Sequence, residues 1–189
     1  DRYLDVAEYL CTRGFAVVLY DHAGHGKSIK TNDDLGFFCE ENGFIKIVED
    51  ANQVTKLAKE KFPDKKLILW GHSMGSFVTR SYISKYAEDV DGAVICGTSG
   101  KNPAADIGIM LANAVAKIKG ARYRSKFIDS MAFGTYNKKF DGNTGFEWLS
   151  KNEENITQVE ETQESNENNQ QKENKFIEKE KFLRKKGID

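Results

Sequence analysis

The residues best placed to do chemistry are Gly71-His72-Ser73-Met74-Gly75, a serine centred between two glycines. A continuous apolar run, Leu67-Ile68-Leu69-Trp70, leads into them and a helix-compatible stretch follows, which places the serine on a sharp strand-to-helix turn. Such a turn strains the backbone, and side chains two residues before and after the serine are expected to collide, a clash that glycine avoids. The chemistry is nucleophilic acyl transfer. The Ser73 hydroxyl attacks a carbonyl carbon, while the Met74 backbone N–H and the positive end of the following helix stabilise the oxyanion.

A serine hydroxyl is a weak nucleophile until a base within hydrogen-bond reach takes its proton. The chain has three histidines, His22, His25 and His72, and none follows Ser73. On a tight bend the His72 side chain is expected to point away from its neighbour and pack beside the turn. His22 and His25 sit in the loop after an earlier apolar run, at the carboxyl end of the expected strands, where a pocket would form. Hydrogen bonding with Asp21 or nearby backbone is the simpler role for both. Ser73 as nucleophile and Met74 as oxyanion donor are therefore the candidate site residues. No cofactor or metal is implied, because Cys11, Cys39 and Cys96 match no ligand spacing.

The segment from Ala16 to Ser28 (AVVLYDHAGHGKS) imitates a strand feeding a phosphate-binding G-K-S loop. The nucleotide motif needs a glycine five residues before its G-K, where this chain has Asp21, and no helix stripe follows to supply the dipole. Nucleotide binding is not expected.

The elements that must hold the turn are legible as pattern. Residues 15–20 (FAVVLY), 67–70 (LILW) and 93–96 (AVIC) are continuous apolar runs, the signature of parallel strands buried on both faces. Ile47, Ala51, Val54, Ala58 and Phe62 recur at helical spacing until Pro63-Asp64, and Leu4, Ala7 and Leu10 make a shorter stripe ended by Gly14. The order is an α/β arrangement. Ile107, Met110, Leu111, Ala114, Val115 and Ile118 form a further helical face, followed by Lys117, Lys119, Arg122, Arg124 and Lys126. Residues 101–150 thus read as an inserted helical lid whose basic stretch could rest on an anionic membrane. From Lys151 a Glu/Asn/Gln/Lys tract is expected to be disordered, with a weak amphipathic helix over 176–183. The partition is residues 1–150 as one α/β domain and 151–189 as a polar tail.

Composition narrows the rest. Lys plus Arg number 28 against 29 Asp plus Glu, so no global field attracts nucleic acid. No segment reaches the ~18 apolar residues of a membrane span. Three cysteines without a pairing pattern suit a reducing, cytoplasmic setting. Nothing in the sequence speaks to oligomeric state.

Arg2-Tyr3 followed by Ala7, then Asp21-His22-Ala23-Gly24-His25-Gly26-Lys27-Ser28, then Gly71-His72-Ser73-Met74-Gly75-Ser76 resemble, in order and spacing, the monoacylglycerol lipase and lysophospholipase-like α/β hydrolases, classed with the serine aminopeptidase S33 type. The resemblance runs to about Glu154. It implies a partial α/β-hydrolase fold and cleavage of small-molecule esters, typically monoacyl lipids such as monoacylglycerol or lysophospholipid, through an acyl-serine intermediate. The family's His-Gly oxyanion loop, and the acid and base that follow its lid, have no match here. The chain is accordingly expected to be a fragment, nearly inactive alone, with the tail either a natural linker or a frame-shift product. A non-catalytic product or binding module, and an S33-type peptidase, stand as alternatives.

Overall fold

The computed structural model describes residues 3–157 and 159. They fall into two units, one of residues up to 30 with 34–102, the other of residues 31–33 with those from 103 onward.

The first unit contains α1 (Leu4–Thr12), α2 (Gly43–Lys61), β1 (Ile68–His72), α3 (Met74–Tyr86) and β2 (Gly92–Cys96). β1 and β2 pair in parallel, from Ile68 opposite Gly92 to His72 opposite Cys96, with α3 as the crossover between them. α2 starts from Asn42 in the left-handed region (φ 55), which asparagine tolerates, and stops at Phe62, because the residue before Pro63 is disfavoured in helical geometry. Its buried face is Ile47, Val48 and Ala51 with Asn52 and Thr55. The face is rotated from the expected stripe, since Val54, Ala58 and Phe62 are only half-buried. Thr55 enters the interior because its hydroxyl donates back to the Ala51 carbonyl at 2.8 Å, which removes the cost of an unpaired polar group. Val78 and Tyr82, four apart on α3, meet this face and complete the core, with Leu69 of β1 and Val90 packed against it.

Two expectations about the strands are corrected. Residues 15–20 join no sheet, so the sheet has two strands, not three; an apolar run becomes a strand only where a neighbour offers a ladder, and among the described residues none does. Nor are the strands buried on both faces. Leu69 and Gly71 face the helices, whereas Ile68, Trp70 and Val94 on the opposite face stay exposed, Trp70 at 45%.

The loop that imitates a phosphate site is closed by its own aspartate. Asp21 accepts from the Lys27 backbone N–H at 2.9 Å through its carboxylate and from the Ser28 hydroxyl at 2.8 Å through its carbonyl. The carboxylate also lies where a Gly26 side chain would stand, so the space a phosphate would need is filled by a negative charge.

The second unit contains α4 (Ala105–Lys119) and α5 (Lys126–Phe133), the latter capped by the Ser125 hydroxyl accepting from Ile128 N–H. Beyond α5 a clasp closes around Glu147. Its carboxylate accepts from the Thr144 N–H at 2.8 Å, the Thr144 hydroxyl at 2.9 Å and the Asn137 side-chain amide at 2.5 Å, while Asn137 in turn accepts from Trp148 N–H. Trp148 stacks on Phe133 and meets the Tyr136 ring edge-on. These donors, the Thr144 backbone N–H foremost, hold the carboxyl down at about 2 from its ordinary 4.5. A depressed folded value means the clasp gains stability above the ordinary value and loses it as the pH falls through the folded one. Trp148 emission in a Trp70→Phe background is therefore expected to hold steady down to about 4.5 and to change between there and about 2, whereas Glu147→Gln should flatten that acid step.

Residues 153–157 are helical and Ile156 is buried, so regular structure resumes after Ser150. The remainder of the polar tail, including the amphipathic stretch expected over 176–183, lies outside the described residues. Among the described residues no helix is long and apolar enough to cross a membrane, and no group of His, Cys, Asp and Glu could hold a metal ion.

Candidate active site

β1 delivers the chain to Ser73 and α3 departs from the next residue. Ser73 has φ 53 and ψ −117, outside the small left-handed basin open to side-chain-bearing residues. Strain of this kind costs about 1–3 kcal/mol and persists only where the surroundings fix it. Here both backbone polar groups are tied. The Ser73 N–H donates to the Cys96 carbonyl at 3.0 Å, extending the β1–β2 ladder by one bond. The Ser73 carbonyl accepts from the Ser76 N–H at 2.9 Å and from the Ser76 hydroxyl at 2.6 Å, and Ser76 is fully buried.

The two flanking glycines turn out to be unlike. A side chain at Gly71 would strike the Gly75 carbonyl and the Thr79 hydroxyl, so the start of α3 can lie against β1 only with hydrogen at position 71. At Gly75 a side chain would meet nothing within 4 Å. The expected collision therefore holds on the strand side of the bend and not on the helix side, where Gly75 occupies open space in the first turn.

The result is an exposed serine directly before a helix N-terminus. Met74 is the first helical residue, and its N–H belongs to the first-turn donors that an α-helix leaves without an internal acceptor. Serine and donor are thus consecutive residues at the positive end of α3.

His72 is engaged elsewhere. Its Nδ1 is hydrogen-bonded to the Tyr3 hydroxyl at 2.9 Å, its ring meets Tyr3 edge-on, and its Nε2 side lies over Gly97. Trp70, two residues earlier on the same face, also meets Tyr3 edge-on and donates its indole N–H to Cys96 Sγ at 3.3 Å. Residue 72 therefore packs beside the bend and does not serve the hydroxyl. His25 bonds to the Ala23 carbonyl at 3.0 Å and stacks on Phe38. His22 packs its edge against Tyr20, and burial, reinforced by the nearby His25, pushes its pKa below the usual imidazole value. Neither has a hydrogen bond to Ser73 among the described residues. The structure thus places Ser73 directly before Met74 at the start of α3, while the hydrogen bonds described for His72 and His25 go to Tyr3 and Ala23.

Two supports have no counterpart in the sequence reading. Ser76 reads as one more small residue after the glycine, and its role follows only from its burial under the bend. The Tyr3–His72 bond joins residues 69 positions apart, a contact that no local pattern announces.

The sequence profile of the family described as serine aminopeptidase, S33 matches residues 1–170. A stretch of 85 residues is 29% identical to proline iminopeptidase PfmaB of Pestalotiopsis fici, covering 45% of this chain and 27% of that protein. Another of 96 residues is 30% identical to a monoacylglycerol lipase of Mycolicibacterium smegmatis, covering 51% of this chain and 32% of the lipase. The matched stretches thus span less than a third of the length of these curated relatives. Among solved structures, a highly thermostable carboxyl esterase from Bacillus coagulans in complex with glycerol superposes with a TM-score of 0.74 at 25% identity, over 82% of this chain and 50% of the esterase.

Proposed function

Since the chain belongs to the serine aminopeptidase, S33 family and has an α/β-hydrolase fold in part, we propose that it carries the nucleophile half of a serine hydrolase acting on carboxylic esters of single acyl chains, monoacylglycerol or lysophospholipid. The observation that carries this reading is the backbone of Ser73, strained at φ 53 and ψ −117 and exposed beside the first N–H of α3. In the reaction Ser73 Oγ bonds to the acyl carbon as its proton passes to a base. The carbonyl oxygen, now an oxyanion, accepts from Met74 N–H, and the ester oxygen leaves with a proton as the alcohol. Water then releases the acid from the acyl-serine by the same steps.

Among the described residues none of the three histidines is hydrogen-bonded to Ser73, and the reading is that its general base is wanting here. General-base assistance is worth about 10²–10⁴-fold, so the chain alone should acylate slowly. A diffusible base tests this directly. With excess imidazole, covalent labelling by a fluorophosphonate, followed by intact mass and mapped by peptide digestion, is expected to speed up by at least about tenfold and to fall on Ser73. Label that survives Ser73→Ala would sink the assignment of the nucleophile, and no imidazole-dependent label at all would favour a non-catalytic binding role.

A peptidase reading draws on the likeness to the proline iminopeptidase, because amide and ester cleavage share this bend. Trapping with matched ester and amide substrates separates the two. The setting proposed is cytoplasmic, in keeping with free thiols at Cys11, Cys39 and Cys96, with peripheral membrane contact through the region of α4.

A further inference from the structure

Arg80, on the helix that starts at the bend, reaches the segment that leaves β2. Its terminal nitrogen Nη1 donates to the Ser99 carbonyl at 2.9 Å and to the Thr98 hydroxyl at 3.3 Å. That segment begins at Gly97, whose φ of 59 turns the chain sharply as the strand ends. A Cβ at Gly97 would lie 3.2 Å from His72 Nε2 and 3.7 Å from the Ser73 nitrogen, so the turn passes directly beside the Ser73 backbone. The residue before it, Cys96, is the one whose carbonyl accepts the Ser73 N–H.

These contacts close a ring. The chain runs from Ser73 along α3 to Arg80, crosses by hydrogen bond to Thr98 and Ser99, returns through Gly97 to Cys96, and meets Ser73 again at its N–H. A residue in strained geometry keeps it only while its neighbours over-determine it. The bond from Ser73 to Cys96 is the last of its ladder, and the glycine that follows has wide conformational freedom of its own. A guanidinium suits the task of removing that freedom, since it stays charged at any working pH and presents N–H donors in fixed directions.

We propose that Arg80 is a positioning residue for acyl transfer at Ser73. By holding Thr98 and Ser99 to α3 it stops Gly97 from turning away, and the Cys96 carbonyl stays aimed at the Ser73 N–H. The role rests on Ser73 being the nucleophile, and it extends the site to a residue outside the G-x-S-x-G pattern. Arg80, Thr98 and Ser99 are all exposed, so water replaces the hydrogen bonds when they are lost and fold stability should change little. Geometry is what should suffer, and a small displacement of a reacting group is costly in rate.

Fluorophosphonate labelling of the 189-residue chain in excess imidazole, followed by intact mass over a series of probe concentrations, tests it. In the labelling step Ser73 Oγ bonds to phosphorus, fluoride leaves and imidazole takes the proton. Arg80→Ala is expected to lower the saturating rate about fivefold, while the half-saturating concentration stays within about twofold and the urea midpoint holds. Thr98→Val removes the hydroxyl at nearly constant size and should cost about twofold, with the double variant no slower than Arg80→Ala alone, because both act through one contact. Arg80→Lys, which keeps the charge but not the fork, should stay nearly as slow as Arg80→Ala. Should Arg80→Ala fail to fold, Thr98→Val carries the same comparison. Full rate in Arg80→Lys would assign the loss to charge and overturn the positioning role. An unchanged saturating rate in Arg80→Ala and Thr98→Val, or a loss no larger than the fall in folded fraction, would overturn it too. Label that ignores Ser73→Ala, or no label on the unaltered chain, would instead overturn the nucleophile and this role with it.

Discussion

Ser73→Gly is expected to make the protein more stable while abolishing every covalent reaction at the bend. The native φ of 53 and ψ of −117 are open to glycine and costly for any other residue. Relief of about 1–3 kcal/mol, less the ~0.5–1 kcal/mol by which glycine loosens the unfolded chain, leaves a net gain of about 0–2.5 kcal/mol, centred near ~1 kcal/mol. Ser73→Ala is the control, because it removes the same hydroxyl but keeps a Cβ in the strained geometry. Both variants should lose fluorophosphonate label completely, and urea denaturation should separate them by about 1 kcal/mol, and at most ~2.5 kcal/mol, in favour of glycine. Equal stability of the two would mean that the bend stores no more strain than the ~0.5–1 kcal/mol that glycine costs, and the case for a poised nucleophile would weaken with it.

The largest structural effect should come from one methyl group at position 71. Alanine there places its Cβ against the Gly75 carbonyl and the Thr79 hydroxyl, and the first of these is backbone that can yield only if α3 moves off β1. Overpacking commonly costs about 1–3 kcal/mol, and a clash with main chain belongs at or above the upper end. Against a typical total of ~5–15 kcal/mol, Gly71→Ala should shift the urea midpoint strongly or leave the protein insoluble. Gly75→Ala gives the contrast. It adds its methyl to open space in a helix, where alanine is favoured by about 0.5–1 kcal/mol, so stability should hold or rise slightly. The two substitutions look equivalent in the G-x-S-x-G pattern, and opposite outcomes would show that only the first glycine is sterically required.

What could be read from the sequence was local. The bend at Ser73 is visible because a strand-like run, two glycines and a helix former lie within ten residues, and the α2 stripe is visible because helical periodicity repeats along one element. Residues 15–20 misled because β-branched apolar content reports fitness for a sheet, whereas membership depends on a partner elsewhere in the chain. The exposure of Ile68, Trp70 and Val94 has the same root, since a continuous apolar run states what both faces could bury and not how many layers cover them. Helix α2 rotated toward Asn52 and Thr55 because a hydroxyl bonded to its own helix enters a core that a hydrophobicity pattern reserves for aliphatic residues. At the site, Ser73 and Met74 followed from one motif, whereas Tyr3, Ser76 and the Cys96 carbonyl, which hold that motif in place, are brought there by the fold.

Each residue of β1 meets a partner 24 positions later, as 92 − 68 = 24 shows for the first pair, and the final rung of that ladder is the bond from Ser73 to Cys96. Ladder and bend thus share the same closure in the folded chain, over a span shortened by the coiling of α3. A ribosome that had not yet released Cys96 would hold a chain whose serine is still an ordinary flexible residue. Reactivity at this position would then switch on with the arrival of a strand rather than with the emergence of the motif itself.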